Sequence, residues 1–138
     1  MRALCLVAIL GLAIPSFAAA AQSGAETSDG LRTVTVGDLA ALRTTGKVVV
    51  LDANGPETRS RYGVIPGAVL LTHYDDYDVG RELPTDRGRT LVFYCANERC
   101  MASHKAAQRA IDAGFTDVSV LSAGIMGWKN GGQPTGTL

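Results

Sequence analysis

Thr90-Leu91-Val92-Phe93-Tyr94-Cys95-Ala96-Asn97-Glu98-Arg99-Cys100-Met101 is the stretch on which the fold turns. Thr90 to Tyr94 is a short run of β-branched, aliphatic and aromatic residues bounded by polar sequence, the pattern of a strand buried on both faces. Cys95 to Cys100 reads as a short loop. Met101 to Ala113 has helical spacing, with Ala102, Ala106, Ala107, Ala110 and Ile111 on one stripe and Gly114 as its stop. A cysteine therefore stands at the carboxyl end of a strand and directly ahead of a helix.

The same alternation extends in both directions. Upstream, Val48-Val49-Val50-Leu51 predicts a second fully buried strand. It ends in Asp52-Ala53-Asn54-Gly55-Pro56, which is turn chemistry, and Pro56 opens a helical turn to Tyr62. Ile65-Pro66-Gly67-Ala68 is a tight turn feeding the short apolar segment Val69-Leu70-Leu71. The polar stretch from Tyr74 to Arg89 reads mostly as loop. Nearer the start, Thr33 to Val36 suggests an edge strand. Asp38 then caps a short helix through Leu39, Ala40 and Leu42 that stops near Gly46. Downstream, Val118 to Leu121 predicts a further strand, and Ile125 to Asn130 a short helix closed by Gly131-Gly132. Strands alternating with helices predict an α/β domain with a parallel sheet covered on both faces. Sites in such sheets form at the carboxyl ends of strands, where Cys95 lies.

A chain of 138 residues holds one domain. Its first residues have the pattern of an export signal: Arg2, an apolar run from Ala3 to Ile14, then the small-residue tract Ala18 to Ala21. The run is about a dozen residues, against the roughly 20 a membrane span needs. The expected organisation is a signal peptide over 1–21, a flexible polar leader over 22–30 and the folded domain over 31–138. Thirteen basic and thirteen acidic residues balance, which argues against a nucleic-acid patch or a polybasic membrane surface. The expectation is an exported protein, periplasmic or secreted, with no nucleic-acid partner and no stable membrane association after cleavage. Nothing demands more than a monomer.

Loss of the signal removes Cys5 and leaves Cys95 and Cys100. An even pair in an exported protein suggests a structural disulfide. The placement of Cys95 suggests chemistry instead. Backbone N–H groups of the loop and of the first helical turn converge on such a sulfur, favour its anion and lower its pKa; the thiolate is the nucleophile. The plainer reading is a free cysteine packed as a small hydrophobe.

Four short motifs then fall in order: Val50-Leu51-Asp52-Ala53-Asn54, Tyr62-Gly63-Val64-Ile65-Pro66-Gly67-Ala68, Leu91-Val92-Phe93-Tyr94-Cys95, and Val120-Leu121-Ser122-Ala123-Gly124-Ile125-Met126-Gly127-Trp128. Together they resemble the rhodanese-like domain over about residues 33 to 135. The resemblance implies a central parallel sheet of about five strands flanked by helices. It implies a sulfurtransferase without cofactor or metal. Sulfane sulfur from a small donor, thiosulfate or a persulfide, would be held on Cys95 as a persulfide and passed to cyanide or a thiol. Ala96, Asn97, Glu98, Arg99 and Cys100 would form the cradle for that sulfur.

The chain departs from the family pattern in four places. The loop lacks the frequent glycine, and Cys100 ends it where arginine or a hydroxyl residue is usual. Glu98 puts negative charge where an anionic donor approaches. The frequent D-x-R is Asp52-Ala53-Asn54, and the turn has Val64 in place of histidine. Cys100 reads either as a cysteine buried at the helix start or as a resolving thiol that attacks the Cys95 persulfide. The resolving role would make Cys95 and Cys100 a dithiol redox pair, the alternative function. A third reading has Cys95, Cys100 and His104 holding a soft metal in a binding or interaction module. Arg99 reads as an anion-binding or a solvated residue. Arg59, Arg61, Arg87, Arg89 and Lys105 read as surface charges, Asp52 as a structural acceptor and Trp128 as a packing anchor. His73 has no assigned role.

Overall fold

The computed structural model describes residues 30–138. The expected signal peptide over 1–21, and all of the leader over 22–30 except Gly30, lie outside the described residues. Five strands form one parallel sheet: β1 (Arg32–Thr33), β2 (Val48–Asp52), β3 (Val69–Leu70), β4 (Thr90–Tyr94) and β5 (Val118–Leu121). Their order is β1-β5-β4-β2-β3, so β4 is central. Leu51 pairs with Phe93 and Asp52 with Tyr94 across β2 and β4; Tyr94 pairs with Leu121 across β4 and β5. The helices are α1 (Val36–Thr44), α2 (Pro56–Tyr62), α3 (Val79–Glu82), α4 (Ala102–Asp112) and α5 (Gly124–Asn130). Among the described residues no helix is long and apolar enough to cross a membrane.

Alternation along β4 divides its side chains between two cores. Leu91, Phe93 and Cys95 enter one, with Leu51, Val118, Val120 and the α4 residues Ala106, Ala107 and Ala110. Val92 and Tyr94 enter the other, with Leu39 of α1, Leu121, and Ile125 and Trp128 of α5. Each fully buried Leu, Ile or Phe contributes about 1.5–3 kcal/mol of transfer free energy. The alanine stripe lets α4 lie close on the sheet, and this proximity brings its first turn against Cys95. Because β2 leads outward to β3 on one side and β4 leads to β5 on the other, Cys95 stands where the strand order reverses.

The structure corrects several sequence expectations. Thr35, and not Asp38, caps α1; Asp38 sits three residues on and closes a reciprocal capping box with Thr35. That box draws Val36 into the helix and leaves β1 only two residues long. The stretch from Tyr74 to Arg89 carries α3, capped by Asp78 on the Gly80 and Arg81 N–H groups. It also carries Tyr77, fully buried, whose hydroxyl donates to the Ala106 carbonyl at 2.8 Å. Ile111 leaves the buried stripe of α4 and is exposed, while Ser103 and His104 are buried in its first turn.

Candidate active site

Cys95 follows the last residue of β4 and is 1% exposed. Its thiol donates to the Cys100 carbonyl at 3.0 Å. The Ser103 hydroxyl lies 3.2 Å from the same sulfur, and the Ser103 N–H, in the first turn of α4, also points to it. Both cysteines are free.

The loop is held from within and from above. Asn97 turns it back on itself: the Cys100 N–H donates to the Asn97 carbonyl and the Arg99 N–H to Asn97 Oδ1, each at 3.0 Å. The start of α5 supplies the second hold. Ile125 N–H donates to the Cys95 carbonyl at 2.9 Å and Met126 N–H to the Ala96 carbonyl at 3.0 Å. Gly124 permits this approach, since a Cβ there would stand 2.5 Å from the Ala96 backbone, and its φ of +61° is itself a glycine conformation. Ala96 and Asn97 are half-buried, Glu98 and Arg99 exposed, and Cys100 half-buried. Of the expected cradle residues Cys100 meets the thiol, through its carbonyl, and Glu98 and Arg99 lie at the exposed rim of the loop.

The expected acidity of Cys95 does not appear in the resting site. Burial pushes its thiol up to about 11, and the contact with Cys100 adds to this. The Ser103 hydroxyl and N–H pull the other way. The reason is the path of the loop. The Arg99 and Cys100 N–H groups turn to Asn97, and a carbonyl faces the sulfur where amides were expected.

Beneath the loop, on the opposite face of the sheet, lies a buried polar network. Tyr94 donates its hydroxyl to Asp52 Oδ2 at 2.6 Å and accepts from the Ile65 N–H at 3.0 Å. Burial and the Asp52 charge hold Tyr94 well above the usual phenol range. Asn54 N–H donates to Asp52 Oδ1 at 2.7 Å, which is the structural role expected of Asp52. Arg59, expected on the surface, is mostly buried: it stands 3.5 Å from Asp52 Oδ1 and donates to the Asp52 and Leu71 carbonyls. Although Asn54 stands where the family pattern has arginine, α2 thus brings a guanidinium to Asp52 from further along the chain. Trp128 is a packing anchor with its indole N–H on the Pro134 carbonyl at 2.8 Å.

Ser103 was not singled out from the sequence. Its signal was present: 103, 106, 107 and 110 form one helical stripe, and Ser103 is its only polar member. The metal reading finds no support, for among the described residues no group of three or more His, Cys, Asp or Glu side chains is placed to hold an ion. His104 is buried, and its Nδ1 has no hydrogen-bond partner. A surface depression of about 500 Å³ lined by Asp75, Lys105, Arg109 and Asp112, among others, includes no residue of the cysteine loop.

The rhodanese-like domain family matches residues 35–131. A similar solved structure is a protein of unknown function from Rhodopseudomonas palustris described as a possible tyrosine phosphatase. It is 27% identical with a TM-score of 0.62, over 78% of this chain and 86% of that one. A rhodanese-like domain from Anabaena is 24% identical with a TM-score of 0.63, over 77% and 79% of the two chains. A thiosulfate sulfurtransferase from Pseudomonas aeruginosa is 22% identical with a TM-score of 0.62; the match covers 76% of this chain and 20% of that larger one. No curated protein matches.

Proposed function

The chain belongs to the rhodanese-like domain family, and from that membership we infer a sulfurtransferase that carries sulfane sulfur on Cys95. The observation that carries this reading is the position of Cys95. It closes the central strand, faces the first turn of α4, and has the Ser103 hydroxyl 3.2 Å from its sulfur. The family fold, shared with the Pseudomonas aeruginosa thiosulfate sulfurtransferase, supports the same chemistry.

The reaction has two halves. The Cys95 thiolate attacks the outer sulfur of thiosulfate, the bond between the two donor sulfurs breaks, and sulfite leaves with its electron pair. Cyanide or a thiolate then takes the outer sulfur of the Cys95 persulfide and regenerates the thiolate. Ser103 donates to the sulfur as charge gathers there, the role of an oxyanion-type donor. The Cys95 proton must first leave the Cys100 carbonyl, so ionisation belongs to the activation barrier. Glu98 at the rim disfavours a dianionic donor, which makes a persulfide or polysulfide the better substrate class. In the exported reading the protein works in an oxidising compartment as a monomer on small-molecule substrates.

Thiocyanate formation from cyanide tests the assignment, with thiosulfate and with inorganic polysulfide as donors. Wild type is expected to turn over with at least one of them. Cys95→Ser is expected to be inactive and Cys100→Ser to keep much of the rate. Turnover by Cys95→Ser at the wild-type rate would overturn the assignment.

A further inference from the structure

We propose that Cys100 is the resolving thiol of this site: it attacks Sγ of the Cys95 persulfide, closes a Cys95–Cys100 disulfide and expels sulfide. The proposal rests on the persulfide reading above and adds a second fate for the bound sulfur.

Three observations carry it. Cys95 belongs to the apolar cluster under α4, and Cys100 packs against that same cluster from the loop. The Cys95 thiol donates to the carbonyl of Cys100 itself at 3.0 Å. The turn at Asn97 is what returns position 100 to position 95, through the Cys100 N–H on the Asn97 carbonyl and the Arg99 N–H on Asn97 Oδ1. Disulfide formation needs close Cα atoms and converging side chains, and the loop already brings the Cys100 backbone to the Cys95 thiol. Cys100 is also half-buried and Cys95 fully buried, so the attacking thiol is the one nearer to solvent.

The step balances. The bond between Cys95 Sγ and the outer sulfur breaks, and a bond between the two Sγ atoms forms. The outer sulfur leaves with both electrons of its bond and the Cys100 proton, as hydrosulfide. That sulfur is reduced and the Cys100 sulfur is oxidised, while Cys95 Sγ keeps the oxidation level it had in the persulfide. An external dithiol reductant restores the pair by thiol–disulfide exchange. When an acceptor is scarce the domain therefore releases sulfide and stops in the oxidised form, and when an acceptor is abundant transfer outruns resolution.

The test uses wild type, Cys95→Ser and Cys100→Ser, reduced, desalted and loaded without oxygen with thiosulfate or inorganic polysulfide. After excess donor is removed, free sulfide and intact mass are followed in time. Wild type is expected to release about one sulfide per chain and to end two hydrogens below the dithiol mass, with a Cys95–Cys100 disulfide in its peptide map. Cys100→Ser is expected to hold one added sulfur, with sulfide release at least about tenfold slower. Wild type that keeps its added sulfur as long as Cys100→Ser does, without sulfide, would overturn the resolving role and leave the carrier role standing. No added sulfur in any variant from either donor would overturn the carrier role, and the resolving role with it.

Discussion

Tyr94 and Asp52, partners in register across β4 and β2, are joined by a 2.6 Å hydrogen bond on the face of the sheet opposite the Cys95 thiol. The same tyrosine hydroxyl accepts from the Ile65 N–H, so one side chain ties the end of the central strand to the Ile65-Pro66-Gly67-Ala68 turn. The residue that precedes Cys95 thus anchors it from behind.

Removing that hydroxyl leaves a buried carboxylate short of a donor and a buried N–H without an acceptor. Tyr94→Phe is expected to cost about 2–3 kcal/mol of stability, read from urea unfolding. A loss under about 0.5 kcal/mol would show that the network holds nothing in place.

Gly124 is where α5 meets the cysteine loop. Gly124→Ala brings a methyl to 2.5 Å from the Ala96 backbone at a φ of +61° and displaces the carbonyls that Ile125 and Met126 hold. Sulfur transfer is expected to fall at least about tenfold, with a stability loss beyond about 2 kcal/mol. Gly132→Ala is the control: its φ is +75°, but nothing stands within 4 Å. It should cost only about 1 kcal/mol and leave transfer intact. Equal effects at both positions would contradict the account of the loop.

The protonated resting thiol gives a pH signature. With Cys95 near 11, its thiolate fraction at pH 7 is about one in ten thousand and rises about tenfold per pH unit. Alkylation of Cys95, followed on its own peptide by mass, should climb accordingly through pH 10. Ser103→Ala removes a donor to the thiolate and should shift that curve further alkaline. An alkylation rate flat above pH 7 would mean the thiol is already ionised.

At the sheet edge, Asp117 bonds Arg32 of β1 and accepts from the Thr90 hydroxyl at 2.6 Å. Partial burial raises its pKa, but Thr90 and Arg32 outweigh this and hold it below the usual carboxylate range. A depressed folded-state pKa contributes stability above the unfolded value, and that stability is lost as pH falls through the folded one. Asp117→Asn should therefore flatten stability against pH below about 4, where wild type falls. Parallel acid profiles for the two proteins would refute this.

The sheet, its buried central strand and the strand-end cysteine were legible because apolar runs and turn residues are local signals. Arg59 reads as solvated because its partners, the Asp52 carboxylate and the Leu71 carbonyl, come from other segments that no periodicity links to α2. Asp38 reads as a cap because Thr35 lies inside the expected strand. The acidity of Cys95 is hidden from the sequence for a subtler reason. Whether amides or a carbonyl face a sulfur depends on how the loop turns, and Asn97 decides that here. Ser103 was within reach of the sequence, as the polar member of an otherwise alanine stripe.

The most direct test of the central claim is the intact mass of the Cys100→Ser protein after exposure to a sulfane-sulfur donor, then after cyanide. The account predicts one added sulfur, mapped to the Cys95 peptide and removed by cyanide as thiocyanate. A mass unchanged by thiosulfate and by polysulfide, with Cys95 still free to alkylate, would contradict it.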